Sequence, residues 1–162
     1  MRNTIKAWIR KGNPTGKGKP SRSATVRQAG GWYGGASESP DLPLDTDVLS
    51  EEDLSKYVAA LEHTGFFGPD SYYMNHERNA VYAMQAQNGG KLDMPVLFLH
   101  GDYDYTCETV VSRLAEPMRQ DWANLSAVLI QSGHWMAQEK PVEVNAAITK
   151  WLATALPELW PV

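Results

Sequence analysis

Apolar side chains recur at helical spacing near the start of the chain and again after residue 50. Near the start, three residues follow the i, i+3, i+4 spacing of a short amphipathic helix: Ile5, Trp8 and Ile9. A second helix is predicted to begin at Ser50, whose hydroxyl can cap the free N–H groups of the first turn, and to end at Gly65. A third is predicted from Ser71 to the break at Gly89 and Gly90. Three helices are therefore predicted within the first 90 residues.

Glycine and proline interrupt this helical region between residues 12 and 48. Residues 30–35 read Gly-Gly-Trp-Tyr-Gly-Gly, a sequence that favours turns over regular structure. Residues 10–22 are locally basic, with lysines and arginines among Gly, Pro and Ser. We expect residues 12–48 to form an irregular loop that serves as a linker or as a lid.

The last third of the chain has the pattern of a parallel α/β unit. Residues 94–100 form a continuous apolar run of the kind that is buried on both faces of a parallel sheet, and residues 125–130 predict a second strand. Helices are predicted over about 106–120 and from Val142 to Leu156. This order implies a parallel pair with a right-handed crossover. Because two strands alone cannot bury both faces of the sheet, we expect them to belong to a larger sheet. If the edge of the first strand is left unpaired, it favours self-association.

Composition narrows the classes of function. The 162 residues are 43% hydrophobic, which is typical of a globular domain. The net charge of −4 and the lack of aromatic residues among the basic ones predict no nucleic-acid binding. No apolar run reaches the roughly 18 to 20 residues of a membrane span. The single cysteine, Cys107, excludes an internal disulfide and a cysteine-based metal site, and it favours a reducing compartment such as the cytoplasm.

The loops after the two predicted strands contain a histidine that could act as a general base and a carboxylate that could orient it. Residues 132–135 read Ser-Gly-His-Trp, and residues 101–104 read Gly-Asp-Tyr-Asp. A histidine base needs a carboxylate that fixes its tautomer and orientation, and two strand-end loops can bring His134 and Asp104 together. Asp102 lies two residues away and on the same side of an extended chain, so either carboxylate could serve.

No nucleophile accompanies these residues in a recognisable motif. Neither Gly-x-Ser-x-Gly nor Gly-x-Asp-x-Gly occurs in the 162 residues. Cys107 lies near the acidic loop, but a nucleophilic cysteine needs an activating histidine in contact with it. The helical pattern at the start also begins without a cap signal, which indicates a truncated start. We therefore expect the chain alone to be inactive.

Residues 65–79 resemble the lid of epoxide hydrolases. They read Gly-Phe-Phe-Gly-Pro-Asp-Ser-Tyr-Tyr-Met-Asn-His-Glu-Arg-Asn, and the segment from Met94 to Val144 is similar to the end of an α/β-hydrolase. The combined resemblance covers about residues 50–152. It implies an α/β protein with a partial α/β-hydrolase fold, a helical lid followed by the last strand-helix-strand-helix unit of a parallel sheet. The implied regions are the lid (residues 1–90, with the irregular loop 12–48) and the C-terminal part of the core (residues 91–162).

The resemblance also implies a reaction. In the family an aspartate opens the epoxide to form an ester, two lid tyrosines donate hydrogen bonds to the epoxide oxygen, and a histidine activates the water that hydrolyses the ester. By motif, Tyr73 matches the second lid tyrosine, Asp104 the triad acid and His134 the water-activating base. Its neighbour Tyr72 would pack in the helix interface. The implied function is conversion of a small-molecule epoxide and water to a vicinal diol, with no metal or organic cofactor.

Two other functions are compatible with the same residues. The lid could serve another α/β-hydrolase, such as a haloalkane dehalogenase or an esterase. The chain could also be a truncated gene product or a binding module without catalysis, because the nucleophile, the oxyanion loop and the first lid tyrosine cannot be assigned in it.

Overall fold

The chain folds into a set of helices followed by a small parallel sheet with its own helices. The computed structural model describes residues 1–19 and 22–159. The predicted loop 12–48 and the predicted core 91–162 therefore each include positions outside the described residues. The elements are α1 (Arg2–Trp8), α2 (Arg22–Thr25), α3 (Glu51–Thr64), α4 (Phe67–Tyr73), α5 (His76–Ala83), β1 (Val96–Gly101), α6 (Glu116–Asp121), β2 (Leu125–Ile130), α7 (Met136–Glu139) and α8 (Pro141–Ala155).

A buried apolar cluster joins α1 to α3. Ile5 on α1 and Ile9, which directly follows that helix, pack with Leu54 of α3, whose side chain is fully buried. The predicted apolar stripe is thereby confirmed for Ile5 and Ile9, whereas Trp8 is 41% exposed. Trp135, from the loop after β2, packs against the same cluster. The helical half and the sheet half of the chain consequently share a core.

Helix α3 has the ends that its sequence predicts. The Ser50 hydroxyl accepts a hydrogen bond from the backbone N–H of Asp53 at 3.0 Å, and Gly65 ends the helix with a φ of 65°. Both signals are local in sequence.

Two predicted helices are wrong in extent. The one predicted from Ser71 is divided into α4 and α5, because the Asn75 side chain donates a hydrogen bond to the Ser71 carbonyl oxygen at 2.6 Å instead of extending the helix. The one predicted over 106–120 is reduced to a 3₁₀ turn and α6. The Glu108 carboxylate accepts hydrogen bonds from the backbone N–H groups of the next residues, which therefore form a loop: Val110, Val111 and Ser112.

The parallel pairing of β1 and β2 determines where the following loops lie. The register runs from Val96 opposite Leu125 to Gly101 opposite Ile130, so both strands end at the same edge. Helix α8 contacts both strands. Residues 96–99 are only partly buried, in contrast to the prediction, because the sheet of the described residues has two strands. No helix in the described part of the chain is long and apolar enough to cross a membrane.

Truncation of Leu54 tests the shared core. We expect Leu54→Ala to lower the free energy of unfolding by about 2–5 kcal/mol, because the side chain is fully buried and leaves a cavity. Leu114→Ala is the matched control, since that side chain is 68% exposed and its loss should cost little. Urea denaturation followed by circular dichroism measures both. Equal losses in the two variants would contradict the described core.

Candidate active site

Asp104 and His134 meet at the common edge of the sheet. Asp104 lies in the loop after β1 and His134 in the loop after β2, and the in-register strands bring the His134 Nδ1 atom to 3.0 Å from an Asp104 carboxylate oxygen. The Asp104 side chain is largely buried, whereas the His134 side chain is 38% exposed. Among the described residues no group is hydrogen-bonded to His134 Nε2. The ring nitrogen away from the acid can therefore meet a water molecule or a ligand.

Backbone hydrogen bonds hold Asp104 in this position. Its other carboxylate oxygen accepts the N–H groups of Thr106 at 2.8 Å and of Cys107 at 3.0 Å. The alternative acid, Asp102, instead forms an ion pair with Lys17. The structure therefore brings Asp104, and not Asp102, to the histidine.

The environment makes His134 a stronger base. Its hydrogen bond to Asp104 is the main reason that the pKa of His134 lies above its ordinary value; burial opposes this shift and the Asp104 charge adds to it. Burial by itself would raise the pKa of Asp104, but the hydrogen bonds from His134 and from the Cys107 and Thr106 N–H groups, with the His134 charge, hold that pKa below its usual value. The carboxylate thus stays ionised beside the imidazole.

Close backbone packing places the histidine loop. A Cβ atom on Gly133 would lie 2.5 Å from the Cα atom of Gly12, and one on Gly101 would lie 2.9 Å from the Gly133 carbonyl oxygen. Only glycine permits these approaches. The N-terminal segment, through Gly12, is what approaches Gly133.

Aromatic contacts connect the start of α4 to the same loop. Trp135 packs edge-on against His134 with ring centroids 5.2 Å apart, and its indole N–H donates to the Trp8 carbonyl oxygen at 2.8 Å. The Trp8 ring packs against Phe66, the residue that precedes α4, at a centroid distance of 5.7 Å. The start of α4 is therefore linked through Trp8 and Trp135 to His134.

The predicted lid tyrosine is not in contact with the pair. Tyr73 lies at the end of α4, is 66% exposed and packs edge-on against Tyr72 at 5.4 Å. Its hydroxyl makes no hydrogen bond within residues 1–19 and 22–159. Tyr72 is also exposed, so the prediction that it packs in the helix interface is wrong.

Two further groups bear on the chemistry. Burial, followed by the charge of Asp104, raises the pKa of Cys107, so its reactive thiolate is disfavoured and a nucleophilic role is not supported. The described part of the chain contains no group of three His, Cys, Asp or Glu side chains arranged to hold a metal ion.

Sequence reasoning missed Glu139 and Tyr103. Glu139 ends α7, and its carboxylate accepts the Gly133 N–H at 3.0 Å. The hydroxyl of Tyr103, beside Asp104 in the chain, donates to the Gln131 carbonyl oxygen at 2.8 Å. Neither residue type signals such a role, because both roles arise from contacts between loops.

The relatives of this chain are epoxide hydrolases. Bifunctional epoxide hydrolase 2 of Sus scrofa is 32% identical over 131 residues, which cover 80% of this chain and 22% of that protein. Epoxide hydrolase A of Mycobacterium tuberculosis is 36% identical over 107 residues, 64% of this chain and 32% of that protein. A solved structure titled as a Vigna radiata epoxide hydrolase mutant superimposes with a TM-score of 0.59 at 32% identity, covering 75% of this chain and 40% of that one.

The chain is similar to the C-terminal part of epoxide hydrolases of the α/β-hydrolase superfamily. The predicted partial α/β-hydrolase fold is thereby confirmed. No family model matches the chain. The chain spans about a fifth to a third of the length of these two curated epoxide hydrolases.

The pH dependence of stability tests the contact between Asp104 and His134. The lowered pKa of Asp104 contributes stability above its unfolded value of about 3.9, which is lost as pH falls through the folded pKa. The raised pKa of His134 contributes stability that is complete below its unfolded value of about 6.5 and is lost as pH rises through the folded pKa. Asp104→Asn should therefore destabilise the chain more at about pH 5.5 than at about pH 8.5.

Urea denaturation at the two pH values measures this difference. Asp102→Asn is the matched control, because Asp102 pairs with Lys17 and not with the histidine. An Asp104→Asn effect of the same size at both pH values would argue against the pair.

Proposed function

We propose that this chain supplies the water-activating part of an epoxide hydrolase site, for a reaction that converts a small-molecule epoxide and water to a vicinal diol. The observation that carries the proposal is the Asp104 and His134 pair at 3.0 Å, with the far ring nitrogen of His134 unbonded among the described residues. The named relatives support the choice of epoxide hydrolysis over other chemistry on this fold.

In the proposed reaction an aspartate carboxylate attacks an epoxide carbon and the carbon–oxygen bond breaks. The oxygen leaves as an alkoxide, which a tyrosine hydroxyl stabilises or protonates. His134 Nε2 then takes a proton from water, and the hydroxide attacks the carbonyl carbon of the ester. The tetrahedral intermediate expels the diol oxygen, which takes the proton back from the imidazolium. The proton left on the regenerated aspartic acid passes to the tyrosinate, or to the alkoxide where the tyrosine has not protonated it, so that the carboxylate and the phenol are restored. Asp104 stabilises that imidazolium and holds its tautomer.

Tyr73 is the proposed donor to the epoxide oxygen. Its hydroxyl is exposed and unbonded within the described residues, so a substrate oxygen could accept from it. The contacts of Phe66 with Trp8 and of Trp8 with Trp135 support a position of α4 on the same side of the molecule as His134. A phenol is a suitable donor because it stays protonated at neutral pH.

The aspartate nucleophile is proposed to come from outside the 162 residues. The chain contains no Gly-x-Asp-x-Gly motif, and the relatives are three to five times longer than the part that the chain matches. An in-frame Gly-x-Asp-x-Gly in the coding sequence directly upstream would locate it.

The division into a lid (residues 1–90) and a core part (residues 91–162) stays a prediction. The cytoplasmic location and self-association through the open sheet edge also stay predictions. Size-exclusion chromatography with light scattering tests the last of these directly.

The isolated chain should not form diol. We expect the purified 162 residues to hydrolyse an aryl epoxide such as styrene oxide at the rate of His134→Ala, because no nucleophile is present to form the ester. Chromatographic quantification of the diol measures both rates. A rate that is higher for the unsubstituted chain would contradict the proposal, since it would require a nucleophile, or direct attack by water, within the chain.

Replacement of Tyr73 tests the substrate class. We propose a chimera in which this chain replaces the corresponding C-terminal part of Epoxide hydrolase A, which then supplies the nucleophile. In the chimera Tyr73→Phe should lower kcat/KM for styrene oxide by about 100-fold, within the range of a general acid. Tyr72→Phe is the matched control and should change it little. An undiminished rate in Tyr73→Phe would favour a haloalkane dehalogenase or an esterase, which assays with a haloalkane and an aryl ester would distinguish.

A further inference from the structure

The carboxylate of Glu139 joins two segments of the chain at the histidine loop. One of its oxygens accepts both the Gly133 N–H at 3.0 Å and the Gly12 N–H at 2.9 Å. These two glycines are far apart in sequence and in backbone contact in the fold, since a Cβ on Gly12 would lie 2.4 Å from the Gly133 Cα. A single oxygen therefore holds the residue before His134 against the N-terminal segment.

The second oxygen of Glu139 reaches the acidic loop. It lies 3.3 Å from the Tyr103 hydroxyl oxygen, whose single proton is shared between this carboxylate and the nearer Gln131 carbonyl oxygen at 2.8 Å. Burial, then the charge of Glu139 and the hydrogen bond to it, raise the pKa of Tyr103, so the phenol remains a donor. Because Tyr103 precedes Asp104, the carboxylate connects the loops of both members of the pair.

Among the described residues, the N–H groups of Gly12 and Gly133 have no acceptor other than Glu139. Neither glycine has a side chain that could pack, and Gly133 is buried, so its N–H requires an acceptor within the protein. A carboxylate makes stronger hydrogen bonds to N–H groups than a neutral acceptor. Loss of the Glu139 carboxylate would leave both N–H groups without their acceptor and free the Gly133 peptide to rotate.

Rotation of that peptide would move the imidazole. The Gly133 N–H belongs to the peptide that joins Ser132 to Gly133, so its hydrogen bond to Glu139 fixes the position of Gly133, from which the backbone continues directly to His134. A hydrogen bond of 3.0 Å to Asp104 tolerates little displacement, and misplacement of a catalytic group by about 1 Å can cost about 100-fold in rate. The stability of the pair therefore depends on the residue that holds Gly133.

We propose that Glu139 is a positioning residue for His134, which acts by fixing the Gly133 peptide against Gly12 and Tyr103. This inference rests on the proposed function only for the role of His134 as a base. The contacts of Glu139 hold the geometry of Asp104 and His134 whether or not the chain catalyses a reaction.

Nuclear magnetic resonance of the His134 ring in the purified 162-residue chain tests the proposal. The unsubstituted chain should show a hydrogen-bonded Nδ1 proton and a raised pKa. Glu139→Ala should lose that proton signal and shift the pKa of His134 down towards its ordinary value, while the dispersion of the other amide signals shows that the chain stays folded. Glu139→Gln should keep both features, because its amide oxygen can accept the two N–H groups while its amide nitrogen donates to the Tyr103 oxygen.

Glu143→Ala is the matched control. Glu143 lies on α8, is exposed and, within the described part of the chain, pairs only with Lys140 at 3.8 Å, so the His134 signals should not change. Unchanged His134 signals in Glu139→Ala, or the same loss in Glu143→Ala, would overturn the proposal. If Glu139→Ala fails to fold, Glu139→Asp is measured instead, since a carboxylate one methylene shorter cannot span both N–H groups and should cause the same loss; retention of the signals in that variant would equally overturn the proposal.

The styrene oxide assay of the chimera separates this proposal from the proposed function. If the Nδ1 proton signal and the pKa of His134 depend on Glu139, but the chimera forms diol equally fast with His134→Ala, the proposed function is overturned and the positioning role remains. If diol formation depends on His134, but the His134 signals do not depend on Glu139, the positioning role is overturned and the proposed function remains.

Discussion

The in-register pairing of two parallel strands is the constraint on which the site depends. Because β1 and β2 end at Gly101 and Ile130, opposite each other, the two loops that follow emerge side by side. Short loops after the two strands are then sufficient to bring Asp104 and His134 within hydrogen-bonding distance. Parallel strands place their carboxyl ends together by geometry, which is why loops at that edge so often carry chemistry. A slip of the register would separate the acid from the base.

The N-terminal segment also holds the loop that carries His134. It contributes Ile5 and Ile9 to the shared core, the Trp8 carbonyl oxygen to Trp135, and Gly12 to the backbone contact with Gly133. The histidine loop therefore lies between the sheet and the N-terminal segment. Two hydrogen bonds, from Gly12 to Glu139 and from Trp135 to Trp8, each join residues that are 127 positions apart in sequence. Because Trp8 also packs against Phe66, the start of α4 and the His134 loop are both in contact with the same residue.

Sequence reasoning succeeded where the decisive interaction is local. The limits of α3 followed from Ser50 and Gly65, because a cap and a left-handed glycine act within a few residues. It failed for residues 106–120, where the carboxylate of Glu108 takes the backbone N–H groups that a helix would use. It failed again at Asn75, whose side-chain hydrogen bond to the Ser71 carbonyl oxygen separates α4 from α5. In both places a side chain competed with the backbone, and periodicity of apolar residues carries no information on that competition.

The sequence by itself determined the strand order, the apolar stripe of α1 and the residues His134 and Asp104 as candidates, because alternation, helical spacing and the family motif are all written in consecutive residues. Alternation alone admitted both Asp102 and Asp104, with only the family motif favouring Asp104, and the sequence was silent on Glu139. Only the tertiary structure decided these points, because each depends on which group a carboxylate meets across the fold: Lys17 for Asp102, His134 for Asp104, and two glycines and a tyrosine for Glu139.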